Sequence, residues 1–125
     1  MSPAAPSGAG RTVLVLARDV VGAGLLGALV EVAGRAPLFP PDGEGVEWTM
    51  GRLRPPVVLL DAHHGAARSE PFWAAAATAG SRVILFSPGP AWDGAAALAA
   101  TRGATWICPA PGESLADALA AALGA

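Results

Sequence analysis

Short apolar runs alternate with amphipathic stretches along almost the whole chain. A short, continuous apolar run is typical of a strand that is covered on both faces, as in a parallel sheet. The sequence contains five such runs, at Thr12–Leu16, Ala36–Phe39, Val57–Leu60, Arg82–Ser87 and Ala104–Cys108. Each run is followed by a segment long enough for a helix, so the pattern predicts five strands and five helices in strict alternation.

Polar residues and glycines mark the ends of the predicted helices. Capping residues predict the starts of the last four helices, at Asp42, Ser69, Asp93, and Ser114 with Asp117. Glycines predict the ends of the first, third and fourth helices, at Gly34, Gly80 and Gly103. Apolar residues at helical spacing predict the buried face of the first helix, at Leu25, Leu26, Leu29, Val30 and Ala33.

Strands that are joined through helices are parallel, with right-handed crossovers. The chain is therefore predicted to be α/β, a three-layer doubly wound (βα)5 sheet of flavodoxin-like order 2-1-3-4-5. Residues 1–10 are predicted to be a flexible tail, and residues 11–125 a single domain. The strands, most of them at their carboxyl ends, then bring one set of residues to a shared shallow pocket: Ala17, Arg18, Asp19, Asp61, Ser87, Trp106 and Pro109.

Composition excludes several classes of function. Apolar residues make up 53% of the chain and the net charge is −2, without a basic cluster, which argues against nucleic-acid binding. The apolar runs are too short to span a membrane, and the N-terminus lacks the pattern of a signal peptide. A single cysteine permits no internal disulfide, so we expect a cytoplasmic location. All eight basic residues are arginine, so no lysine is present to form a Schiff base or to bind phosphate.

Four segments together resemble the receiver domains of bacterial two-component response regulators, the CheY-like proteins. They are Val13–Leu26, Arg54–Asp61, Arg82–Ser87 and Gly103–Ile107. The resemblance implies that Asp61 occupies the phosphoacceptor position, Ser87 the switch hydroxyl and Trp106 the region of the switch aromatic residue. It also implies a surface for a protein partner or a homodimer on the fourth helix, fifth strand and fifth helix, where we place Trp92, Leu98 and Trp106.

The departures from that family are equally informative. The family holds magnesium with two acidic residues after the first strand, where this sequence has Ala17 and Arg18, and it uses a lysine after the fifth strand, which is missing here. A phosphoryl group needs such cations to approach a carboxylate. We therefore expect an atypical receiver that is not an enzyme, has no cofactor or metal site, and works without conventional phosphorylation. Arg18 is hypothesised to pair with Asp61. Asp19, one residue later than the missing acids, is a possible replacement ligand but is expected to point elsewhere.

Two alternatives stay open at this stage. Asp61 could still accept a phosphoryl group in a relay with an altered metal site. The chain could instead be a small nucleotide- or cofactor-binding protein, because Gly22–Gly27 fits the dinucleotide pattern G-x-G-x-x-G, although the glycines fall inside the helical pattern. That alternative predicts a pocket over this segment. His63 and His64 are expected to be solvated loop residues, and Cys108 a small buried residue at a strand end.

Overall fold

A computed structural model describes residues 11–87 and 93–124. The strands are β1 Thr12–Leu16, β2 Ala36–Leu38, β3 Val57–Asp61, β4 Arg82–Phe86 and β5 Thr105–Ile107. The helices are α1 Val20–Val32, α2 Val46–Leu53, α3 Glu70–Ala79, α4 Ala95–Arg102 and α5 Leu115–Gly124. A short 3₁₀ helix, Gly65–Arg68, lies between β3 and α3. Within the described ranges, no helix is long and apolar enough to cross a membrane.

The sheet has the order β2-β1-β3-β4-β5, and every neighbouring pair is parallel. This confirms the predicted doubly wound fold. In the register, Asp61 of β3 lies opposite Phe86 of β4, and Phe86 lies opposite Ile107 of β5. The carboxyl ends of the three strands therefore meet at one edge, beside the end of β1.

Two apolar layers cover the sheet, one on each face. Alternate residues of each strand point to opposite faces, so Leu14 and Leu60 pack in the layer formed with α2, α3 and α4. Val13 and Leu59 pack in the layer formed with α1 and α5. β3 is buried along its whole length, which explains its uninterrupted apolar sequence.

The predicted helix ends are confirmed in part. Ser69 and Ser114 cap α3 and α5, where each hydroxyl accepts a backbone N–H three residues later. The predicted caps Asp42 and Asp93 are wrong. The N-cap residue of α2 is Gly45 and that of α4 is Gly94, and neither makes a side-chain hydrogen bond. Gly94 has a φ of 91°, which glycine adopts without strain, so α4 begins one residue later than Asp93 would place it.

The predicted buried face of α1 contains one error. Leu26 and Val30 are buried as expected, but the side chain of Leu25 is 68% exposed. α1 has only one charged residue, Glu31, so apolar residues surround it and the spacing alone does not identify the face that packs on the sheet. The helix ends as predicted, because Gly34 follows the last residues of α1 with a φ of 82°.

Candidate functional site

The candidate site lies at the carboxyl edge of the sheet, where the winding changes direction between β1 and β3. Asp61 is the last residue of β3 and is 3% exposed. Leu16, the last residue of β1, pairs with Leu60, so the chain leaving β1 passes directly beside Asp61. Arg18 follows two residues later. The topology therefore brings a buried carboxylate and a guanidinium to the same place.

Arg18 and Asp61 form an ion pair with two hydrogen bonds. Arg18 Nε donates to Asp61 Oδ2 at 2.9 Å, and Arg18 Nη2 donates to Oδ1 at 3.3 Å. This geometry confirms the hypothesised contact. The two side chains differ in environment, because the carboxylate is 4% exposed and the guanidinium side chain 41%. The hydrogen bond to Asp61 raises the pKa of Arg18 against a smaller, opposing effect of burial.

The turn after β3 completes the environment of Asp61. The backbone N–H of His63 donates to Asp61 Oδ1 at 2.8 Å, and the N–H of His64 donates to the Asp61 carbonyl at 2.9 Å. Both carboxylate oxygens therefore already accept protein hydrogen bonds. A short turn of this kind lets an aspartate side chain organise its own loop.

Asp19 has a structural role. It is the N-cap of α1, and its Oδ1 accepts the Gly22 N–H at 2.7 Å. The carboxylate also lies at the positive end of the helix dipole, where a negative charge is favourable. Asp19 is exposed and lies near Arg18. Aspartate is a favoured N-cap residue, but this cap was not predicted because the apolar periodicity of α1 begins several residues later.

The structure brings only part of the predicted pocket together. Arg18, Asp19 and Asp61 line one cavity of about 460 Å³ between α1 and α5. Ala17 and Asp19 line a second groove of about 370 Å³ on the other side of β1. The buried Ser87 and the half-buried Trp106 and Pro109 are not among the residues that line the first cavity.

The sequence did not predict the structural role of His64. It is half-buried rather than solvated, and its Nδ1 accepts the Ala66 N–H at 3.0 Å at the start of the 3₁₀ helix. Burial lowers the pKa of His64, while the charge of Asp61 opposes that effect. The neutral imidazole is thus the form that caps this turn. His63 is exposed as expected, whereas Cys108 is exposed and not buried, because β5 ends one residue before it.

The predicted partner surface is also placed only in part. Leu98 and Trp106 are half-buried and pack against the apolar layer that contains α4. Trp92 lies outside the described residues. Among the described residues, the large apolar side chains that are most exposed belong to α1, the end of β2 and α2: Val20, Val21, Leu25, Val32, Phe39 and Trp48.

Comparison with known proteins gives matches at the level of structure. No family model and no curated protein matches the sequence. A response regulator from Burkholderia pseudomallei, solved with a phosphorylated aspartic acid, calcium and citrate, superposes with a TM-score of 0.68 at 20% identity. That match covers 90% of this chain and 66% of the other, so about a third of that protein lies outside the match.

Two further structures agree with it. The beryllofluoride-activated NtrC4 receiver domain dimer matches with a TM-score of 0.64 at 19% identity, over 90% of this chain and 95% of that one. HP1043, an orphan response regulator of H. pylori, matches with a TM-score of 0.62 at 19% identity, over 94% of this chain and 98% of that one. Together with the strand order and the parallel register, these matches show that the chain has the fold of response-regulator receiver domains.

Proposed function

We propose that this protein is an atypical receiver domain, a signalling module that works by protein contact and without catalytic turnover. In this proposal it does not depend on magnesium-assisted phosphorylation of Asp61. The observation that carries the proposal is the ion pair between Arg18 and Asp61. A signalling receiver of this kind would act in the cytoplasm.

The donor set around Asp61 does not fit a magnesium ion. Mg²⁺ needs oxygen ligands in near-octahedral geometry, commonly from one or two carboxylates. Here Arg18 binds both oxygens of Asp61, and Asp19 is engaged by the Gly22 N–H. A guanidinium already neutralises the carboxylate that a metal would have to share. Binding of the metal would require Arg18 to leave, which would add an unfavourable step.

The same pair opposes phosphoryl transfer to Asp61. A phosphoryl group brings negative oxygens against the carboxylate, and a cation has to neutralise them without blocking the attacking oxygen. Arg18 binds the attacking oxygens themselves. Because the chain has no lysine, no lysine ammonium group is available to bind the phosphoryl oxygens. The alternative of a working phosphorelay therefore needs both a displaced Arg18 and another cation.

For the partner surface we propose the face formed by α4, β5 and α5, used by a protein partner or a second copy. Its support is the row of exposed small residues on α4, Ala96, Ala97 and Ala100, which lets another backbone approach closely. Leu98 and Trp106 lie at its base and are only half-buried. A large charged residue at Ala97 would block this contact without removing any buried side chain.

An amide NMR titration with magnesium and beryllofluoride tests the proposal, because beryllofluoride stands in for the phosphoryl group. We expect the resonances of Asp61, Ser87 and Trp106 to stay in place in the wild type. The Arg18→Asp variant, which supplies the missing carboxylate, is expected to gain magnesium-dependent shifts near Asp61. Arg11→Asp makes the same charge change at the opposite end of β1 and should gain none.

A concerted shift of those three resonances in the wild type would contradict the proposal and favour phosphorylation of Asp61. The nucleotide-binding alternative predicted a pocket over Gly22–Gly27, and Gly22, Leu25 and Leu26 line the cavity of about 460 Å³. The alternative still has less support, since the three glycines of the pattern lie within α1 and not in the turn that precedes it. The dinucleotide fingerprint needs glycine at that turn, so that the backbone can meet the pyrophosphate.

A further inference from the structure

The cavity between α1 and α5 has a chemical character that the proposed signalling role does not explain. Its volume of about 460 Å³ lies in the range of small-molecule sites, which is roughly 300–1,000 Å³. Most of its wall is apolar, formed by Val21, Leu25, Leu26, Leu29, Phe86 and Leu115. Its charged lining residues are Arg18, Asp19 and Asp61, so the cavity is an apolar groove with one group of charged side chains.

Arg18 offers an unused donor in that group. Its Nε and Nη2 are engaged by Asp61, whereas Nη1 donates to no acceptor in the described part of the protein. Asp61 holds the guanidinium in place, so the outer edge of the group is preorganised for an acceptor atom. A carbonyl or ether oxygen on an apolar molecule would satisfy this edge without disturbing the ion pair.

The charges at the cavity argue against an anionic ligand. Arg18, Asp19 and Asp61 are the charged residues of its lining, which leaves a net formal charge of −1. An anion that bound Arg18 tightly enough to break the ion pair would leave the Asp61 carboxylate without its cation, and this side chain is 4% exposed. Such a buried, unpaired charge is strongly unfavourable.

A second copy of the chain is also a poor occupant. The only charged residue of α1 is Glu31, the only charged residue of α5 is Asp117, and Asp19 lies at the mouth of the groove. A symmetric contact places the same patch of both copies face to face. Acidic residues would then meet acidic residues around an otherwise apolar contact, which favours a small neutral molecule over self-association.

We propose that the groove between α1 and α5 is a binding site for a small, neutral, mostly apolar molecule with a hydrogen-bond acceptor at one end. The acceptor meets Arg18 Nη1, and the apolar body lies against Leu25, Leu29 and Leu115. This proposal does not rest on the loss of phosphorylation. It also differs from nucleotide binding, because the lining has no free cation for a phosphate.

Fluorescence titration with 6-propionyl-2-dimethylaminonaphthalene tests this chemistry. The probe is neutral and apolar, and it carries a ketone at one end. We expect saturable binding of one probe per chain, with the blue-shifted emission of an apolar site. The anionic 5-dimethylaminonaphthalene-1-sulfonate, of similar size, should bind at least about tenfold more weakly because of the charge of the groove.

Three exposed positions provide matched variants. Leu25→Asp places a charge in the groove, and Ala116→Phe fills it from α5. Val32→Asp makes the same kind of change on α1, at a side chain that is 86% exposed and outside the lining. We expect the first two to weaken binding of the neutral probe by about tenfold or more, and the third to leave it unchanged.

None of the three positions is buried, so the variants should remain folded, which circular dichroism and urea unfolding will verify. The absence of saturable binding to the wild type would overturn the proposal. Equal weakening by Leu25→Asp and Val32→Asp would also overturn it, because the probe would then be reporting general surface hydrophobicity. A stoichiometry of one probe per two chains, with a doubled mass in light scattering, would assign the groove to a second copy.

Discussion

The substitution Arg18→Ala gives the sharpest test of the ion pair, because its two partners lie in different environments. Asp61 has a side chain that is 4% exposed in the intact pair, and removal of Arg18 takes away its cation while the His63 N–H still donates to it. Removal of the opposite charge by Asp61→Asn leaves a guanidinium side chain that is 41% exposed and can be hydrated. The first change should therefore destabilise the fold more than the second.

The size of the effect follows from these exposures. Breaking a fully buried pair costs about 3–5 kcal/mol, and breaking an exposed pair costs about 0–1 kcal/mol. Since Arg18 is more than one-third exposed, solvent weakens the interaction, and we expect Arg18→Ala to lower the free energy of unfolding by about 2 kcal/mol. Asp61→Asn keeps an acceptor for His63 and should cost about 1 kcal/mol or less.

Urea unfolding of the two single variants and the double variant measures these values and the coupling between the residues. Arg52→Ala serves as the control, because Arg52 pairs with Glu44 on the surface at 3.0 Å and its loss should cost less. An equal cost for Arg52→Ala and Arg18→Ala would show that the Arg18–Asp61 pair behaves as an exposed pair. A larger loss for Asp61→Asn than for Arg18→Ala would refute the argument from burial.

Two further predictions concern α1 and the turn after β3. Gly24→Ala should stabilise the protein by up to about 1 kcal/mol in thermal unfolding, because a Cβ there meets nothing within 4 Å. Gly27→Ala should stabilise the protein less, since its Cβ would lie 2.8 Å from the ring of Phe39. Burial lowers the pKa of His64, so its contribution to stability is present above a pH of about 6.5 and is lost as pH falls through the lowered value. Urea unfolding measured across this pH range tests this: His64→Asn should flatten the fall in unfolding free energy below that pH.

The fold could be predicted from the sequence because the relevant signals are local. β3 has an uninterrupted apolar run, α3 has the Ser69 cap and the closing Gly80, and both are observed. The errors arose where local signals were ambiguous. α1 is apolar on every side, so its periodicity did not show that Leu25 faces outward.

From the sequence, the candidate site could be predicted only as a set of residues at the carboxyl ends of the strands. The contact between Arg18 and Asp61 was hypothesised because Arg18 stands where the resembled family has a metal-binding acid, and the structure contains it. The distribution of the other residues depends on how loops and side chains pack, which no local pattern reports. For that reason the lining of the cavity by α1 and α5 side chains, and the capping role of His64, were found only in the structure.

The guanidinium of Arg18 is a cation that is covalently part of the chain. A bound metal ion stabilises its site according to its free concentration, and a chelator removes it. Arg18 has no such dependence, since dilution and dialysis leave its distance from Asp61 unchanged. The chain therefore supplies positive charge to this site whatever the concentration of divalent ions.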